Sequence, residues 1–199
     1  MKTLIIILFV ALIVIVIFQS FMVMSINKTE EQKYRVVLHD KDFEIRFYPA
    51  ATIATISSSA KTYKEISGPG FRKLAGYIFG GNEAGKKIPM TSPVHMDIND
   101  SASTMSFVMP SSFNEENLPK PNDSNVFIKK TIDEYVAVTR FSGFASDKDL
   151  KLYSEKLQSI LKEKGINSFG HYRFLGYNPP FQLIGRRNEI IVSVFWKEN

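Results

Sequence analysis

Phe71-Arg72-Lys73-Leu74-Ala75-Gly76-Tyr77-Ile78-Phe79-Gly80-Gly81 places Phe71, Leu74, Ala75 and Ile78 at i, i+3, i+4 and i+7. That spacing predicts a helix with one apolar face. Pro69 fits its first turn, and Gly80-Gly81 supplies a stop. On either side the period shortens. Tyr34 to Leu38 and Phe43 to Phe47 are β-rich runs around the turn-forming His39-Asp40-Lys41-Asp42, so a hairpin is predicted. Pro49 ends its second strand, and Thr52 to Ser57 reads as a third. After the helix come the β-rich runs Ile88 to Ile98 and Thr104 to Met109, then a Pro- and Asn-rich surface loop over Ser111 to Ser124.

The second half repeats this order. Val126 to Lys130 and Tyr135 to Phe141 read as strands. Asp147 to Lys164 reads as a helix whose stripe is Leu150, Tyr153, Leu157, Ile160 and Leu161. Ser146-x-x-Asp149 resembles a capping box, and Gly165 fits the C′ position. His171 to Tyr177 and Glu189 to Trp196 are the closing strands. The sequence therefore predicts an α+β domain of two pseudo-twofold strand-strand-helix-strand-strand units. Each helix has an apolar face to bury on a sheet or curved barrel wall. Between two helices and such a wall, an apolar groove is a natural ligand site.

Ahead of this domain, Leu4 to Met24 is apolar except for Gln19 and Ser20. As a helix it spans about 30 Å, one hydrocarbon core. The exit Gln19-Ser20-Phe21-Met22-Val23-Met24-Ser25 lacks the small-residue cleavage pattern of a signal peptide. The expectation is a single-pass, signal-anchor-like transmembrane helix over 1–26, a polar tether over 27–33 and a folded domain over 34–197. The short N-terminal tail places the domain outside the cytoplasmic membrane, although Lys28, Lys33 and Arg35 pull the other way.

Composition narrows the chemistry. The 199 residues contain no Cys, which excludes disulfides, thiolate nucleophiles, iron–sulfur clusters and Cys-type zinc sites. The 25 Lys and Arg are interspersed with 20 acids, without the basic stripe of a nucleic-acid binder, so no nucleic-acid partner is expected. Gly80 to Lys87 approaches a phosphate-binding loop but puts Lys87 where a hydroxyl must hold magnesium, and a helix precedes it. It reads as a helix-to-strand connection. No Gly-x-Ser-x-Gly elbow occurs, and His39, His95 and His171 lie too far apart in sequence for a spaced zinc motif. Any His, Met or Tyr on a pocket wall is nonetheless a chemically competent iron ligand.

Several motifs occur in a recognisable order. They are Phe43-Glu44-Ile45-Arg46-Phe47-Tyr48-Pro49, the helical segment Phe71 to Glu83, and Lys87-Ile88-Pro89-Met90-Thr91-Ser92-Pro93-Val94. Val136 to Phe144, Gly176-Tyr177-Asn178-Pro179-Pro180 and Arg187-Asn188-Glu189-Ile190 follow. Together they resemble the SOUL family of heme-binding proteins over about residues 34 to 196. The resemblance implies a distorted β-barrel flanked by two helices, with heme or a related porphyrin in an apolar cleft beside the first helix. Phe71, Leu74, Ala75 and Ile78 suit that cleft, Tyr177 and Phe181 add aromatic walls, and Arg186 is a basic residue suited to a heme carboxylate. The same helical residues also suit a packed core. Some relatives carry a His, proposed as an iron ligand, just before the Tyr of the first motif. Here that residue is Phe47, which cannot coordinate iron, and Gln182 stands where some relatives have a basic residue. The metal ligand is therefore left open.

The expected function is a non-enzymatic, membrane-anchored carrier, buffer or sensor of a tetrapyrrole. One alternative is a protein-interaction module without cofactor. Another is an enzyme acting on a small molecule, for which Glu189 and Tyr77 are the residues to inspect.

Overall fold

A computed structural model describes residues 2–26 and 29–198. Asn27 and Lys28 of the expected tether lie outside the described residues. In chain order the elements are α1 (Lys2–Ile26), β1 (Glu30–Glu31), β2 (Arg35–His39), β3 (Glu44–Tyr48), β4 (Thr52–Ser58) and α2 (Tyr63–Ile78). Then come β5 (Thr91–Ser92), β6 (Val94–Asp97), β7 (Ser103–Val108), β8 (Val126–Lys130) and β9 (Glu134–Phe141). α3 (Asp147–Glu163), β10 (Ser168–Gly176) and β11 (Asn188–Val194) close the chain.

The main sheet has nine strands in the order β2-β3-β9-β11-β10-β6-β7-β4-β8. Matching β3-β4-α2-β6-β7 to β8-β9-α3-β10-β11 turns this order into its own reverse, apart from the extra edge strand β2. The pseudo-twofold expected from element order is thus built into the strand pairing. Its centre falls between β10 and β6, which pair from Arg173↔Asp97 to Gly176↔Val94. The closed barrel is corrected: β2 and β8 do not pair, and the sheet is open. Its edges carry Arg35 and His39 on one side and Lys129 and Lys130 on the other, the charged rim that keeps sheet edges from joining.

Local chemistry explains the helix limits. α2 starts earlier than its apolar spacing suggests, so Pro69 lies inside it rather than in its first turn. Thr62 caps the start by accepting from the Glu65 backbone N–H at 3.2 Å, and Glu65 reaches back to the Lys61 N–H at 2.8 Å. The end is where the glycines predict it. The Gly81 N–H reaches the Gly76 carbonyl at 2.8 Å, and Gly80 has φ +112°. A side chain at Gly81 would meet that carbonyl at 2.6 Å. In α3 Ser146 caps the Asp149 N–H at 3.3 Å, as its sequence predicts. Ile88 to Ile98 divides into β5 and β6 because Pro89 and Pro93 cannot donate to a ladder.

Both helices cover one face of the main sheet, where Ile45, Ile56, Met105, Phe107, Phe174 and Ile190 join Leu74 and Leu157 in one core. The other face holds Tyr48, Val136, Val138, Leu175, Tyr177 and Ile191, with Tyr34 against them. The first six are buried although they lie opposite the helices, and the Tyr34 ring packs on that of Tyr48 with centres 5.3 Å apart. The segment after α1 joins the fold through β1, which pairs with β5 in parallel. α1 is long and apolar enough to cross a membrane, with mean hydropathy 3.0 over its most apolar window and none of that window buried.

Candidate functional site

Above the two central strands, beside the N-terminal half of α3, lies a cavity of about 410 Å³. Its apolar wall is Met96 and Ile98 at the end of β6, Phe174 and Ile190 from β10 and β11, and Leu150 from α3. Alternation along the strands sends these side chains to the helix face. Asn99, His171, Tyr172, Lys151 and Asp147 supply its polar edge. His171 Nδ1 is 3.6 Å from Asp97 Oδ1, and its side chain is mostly exposed. The Tyr172 hydroxyl is shut off from solvent and has no hydrogen-bond partner among the described residues. Asp147 joins the two helices by accepting from the Tyr63 backbone N–H at 2.6 Å.

The chemistry suits a flat, mostly apolar ligand with polar edges. The volume lies within the range of about 300–1,000 Å³ typical of small-molecule sites. Met96, His171 and Tyr172 each carry an atom able to ligate iron. Lys151, exposed and only 4.0 Å from Glu155, is available to an anionic substituent at the rim. Among the described residues no group of three or more acidic or His side chains forms a metal cage.

A second polar cluster sits on the opposite face. Glu189 is fully buried. Its Oε2 accepts from Arg46 Nη1 and from the Tyr177 hydroxyl, both at 2.8 Å. Its Oε1 accepts from Arg46 Nη2 at 3.1 Å and Arg187 Nε at 2.9 Å. Burial disfavours the Arg46 charge, but the hydrogen bonds and charge of Glu189 outweigh it and raise its pKa. Burial and then the Glu189 charge push the Tyr177 hydroxyl well above the usual phenol range. Burial also pushes Tyr48 up to about 12. Four donors fill the acceptor sites of Glu189, so it holds strands together and offers no free lone pair as a base. Tyr77, the other residue singled out for an enzyme, donates to the Pro119 carbonyl at 2.9 Å and ties down the long loop. On the same face as Glu189, the His95 imidazole pairs with Gln32 Oε1 at 2.7 Å. Desolvation, then the Arg173 charge, push His95 down to about 3.

The seven residues expected to line the cleft do not come together. Leu74, Ala75 and Ile78 are buried in the main core, and Phe71 packs on Phe107 with ring centres 5.3 Å apart. Tyr177 lies across the sheet with Glu189. Phe181 is on an exposed loop, and Arg186 binds that loop's Pro179 and Gln182 carbonyls at 2.7 and 2.9 Å. The cavity residues were within reach of the sequence: His171 stands out as one of three His, and Leu150 belongs to the stripe of α3. What pointed elsewhere was the family resemblance, which implies a cleft beside the first of the two domain helices.

The model of the SOUL heme-binding protein family matches residues 29–193. The chain belongs to the SOUL family. Among curated relatives, heme-binding protein 2 of Mus musculus is 36% identical over 158 residues, covering 74% of this chain and 76% of the relative. Heme-binding protein 2 of Homo sapiens is 34% identical, with the same coverage. Solved structures resemble the fold of this chain at low identity. The EcmrR C-terminal domain superposes with TM-score 0.56 at 10% identity, covering 81% of this chain and 98% of its own. A hydrolase from Listeria innocua superposes with TM-score 0.54 at 9% identity, covering 80% of this chain and 94% of its own. In this SOUL chain, Phe47 packs against Tyr135 with tilted rings whose centres are 5.1 Å apart and lies under Arg35, a packing role.

Proposed function

We propose that the protein is a non-enzymatic tetrapyrrole-binding protein, held at a membrane by α1, that takes heme or a related porphyrin into the α3 cavity. One observation carries the reading: in a chain of a heme-binding family, the 410 Å³ cavity is lined by an apolar wall that includes Met96 and a polar edge that includes His171 and Tyr172. The names of the mouse and human relatives support the ligand class. Phe174, Ile190 and Leu150 would hold the macrocycle by apolar contact, and Lys151 would serve its carboxylates. Bound iron would supply the coordination chemistry, and the chain's part is to bind, orient and shield. The saturated acceptor sites of Glu189 favour this over a hydrolytic reading. As a single-pass protein it acts on porphyrin dissolved in or near the bilayer, as a carrier, buffer or sensor.

Hemin titration of the full chain in detergent tests this. A saturable Soret change with quenching of Trp196 fluorescence is expected. Leu150→Trp should weaken binding at least tenfold, and His171→Ala should shift the Soret maximum. A linear, unsaturable absorbance would sink the ligand. Saturable binding untouched by Leu150→Trp would move it to another site.

A further inference from the structure

The loop between β10 and β11 is built inside out. Gln182 is 3% exposed, while its neighbours Phe181, Leu183 and Ile184 are 51%, 54% and 72% exposed. The polar groups turn inward onto one another. Gln182 Nε2 donates to the Ile184 carbonyl at 2.7 Å, and Asn178 Nδ2 donates to Gln182 Oε1 at 2.9 Å. Arg186 covers the Pro179 and Gln182 carbonyls and lies over the ring of Phe144, itself 56% exposed, 4.5 Å from its centre. The result is an apolar patch of Phe144, Phe181, Leu183 and Ile184 whose underlying backbone is already partly satisfied. Water rewards the opposite pattern. An apolar medium rewards this one, because backbone groups there must be paired internally.

The occupant is set by what lies beside the patch. Gln19 Nε2 of α1 donates to the Phe181 carbonyl at 3.2 Å, and the Leu183 N–H donates to Gln19 Oε1 at 3.1 Å. Gln19 is the first polar residue after the unbroken apolar run from Leu4 to Phe18. A lone amide there needs partners, and the loop supplies them. Gln19 also lies five residues before Met24, about 7.5 Å of helix rise below the end of the apolar segment. Interfacial side chains sit at a depth of about 5–10 Å.

We propose that Phe144, Phe181, Leu183 and Ile184 insert into the headgroup–acyl boundary of the bilayer that α1 crosses. They make a second, interfacial contact that fixes the domain against the membrane. The inference rests on the anchoring role of α1 given above, and its test separates the two. The chain has no Cys, so each introduced Cys is a unique label site. Full-length Leu183→Cys, Ile184→Cys, Val10→Cys and Lys162→Cys proteins would each carry a fluorophore in phosphatidylcholine vesicles containing brominated lipid. Val10 reports the span, and exposed Lys162, in the last turn of α3, reports the far end of that helix. Quenching at 183 and 184 within about twofold of that at 10, and at least fivefold above that at 162, is the expected result. Gln19→Leu should lower quenching at 183 without changing it at 10. Quenching at 10 with none at 183 and 184 overturns the docking and leaves the anchor standing. No quenching at 10 overturns both.

Discussion

Six residues of α2 are buried, Ile66, Gly70, Leu74, Ala75, Tyr77 and Ile78, whereas in α3 the buried residues are Leu157 and Leu161. The two helices occupy equivalent places in related units, yet one seals its side of the sheet and the other leaves a cavity. Their sequences show why. α2 carries Gly70 and Ala75 on its inner face, which permit close approach. A Cβ on Gly70 would already stand 3.1 Å from Ile56 Cδ1 and Met105 Cε. Asp147 to Glu163 contains neither Gly nor Ala, and its N-terminal half presents Leu150 and Ser154 to the cavity instead. Small residues close an interface, and larger or polar ones hold it open.

That contrast can be broken from either side. The largest effect belongs to the sealed helix: Leu74→Ala should cost about 2–5 kcal/mol in denaturant unfolding, because its site is fully buried. Leu150→Ala, beside existing empty space, should cost about 1 kcal/mol or less by comparison. Equal losses would erase the distinction. Next comes Gly70→Ala, which should stay within about 1 kcal/mol of the parent, because the helix gain of Ala over Gly offsets the crowding of Ile56 Cδ1 and Met105 Cε at 3.1 Å.

Acid offers a smaller test within the first unit. His95 neighbours Met96 of the cavity wall, but its own side chain sits on the other face with Gln32. Its folded pKa of about 3 is below the 6.5 of an ordinary imidazole, so the unfolded chain takes the proton first. Stability from this group is complete above about pH 6.5 and falls progressively toward pH 3. His95→Gln should flatten that part of a denaturation profile, and an unchanged slope would remove His95 as its source. The smallest stability effect is expected for Ser154→Leu, within about 0.5 kcal/mol of the parent because the new side chain enters open space. Its signature is instead weaker hemin binding by roughly tenfold, about 1.4 kcal/mol.

Much of the fold was legible because it is local. The spacing of Phe71, Leu74, Ala75 and Ile78, the Ser146 cap and the glycine stops depend on residues within a few positions of one another. The start of α2 is also local, a cap written in Thr62-Tyr63-Lys64-Glu65 that lies outside the apolar spacing of Phe71 to Ile78. Gly70 illustrates the harder case. Periodicity places it on the inner face of the helix, yet nothing nearby in sequence says that Ile56 and Met105 will come within 3.1 Å of a Cβ there.

From its sequence alone this chain specified an apolar membrane-length helix, two repeated units, the type of nearly every element and the SOUL family. Those follow from periodicity, caps and motif order. Tertiary structure decided which side of the pseudo-twofold would keep a cavity, that the sheet would stay open, and that Glu189 would be enclosed by Arg46, Arg187 and Tyr177. Each depends on how closely distant segments approach. That closeness is set by side-chain volumes meeting across the core, which no single segment contains.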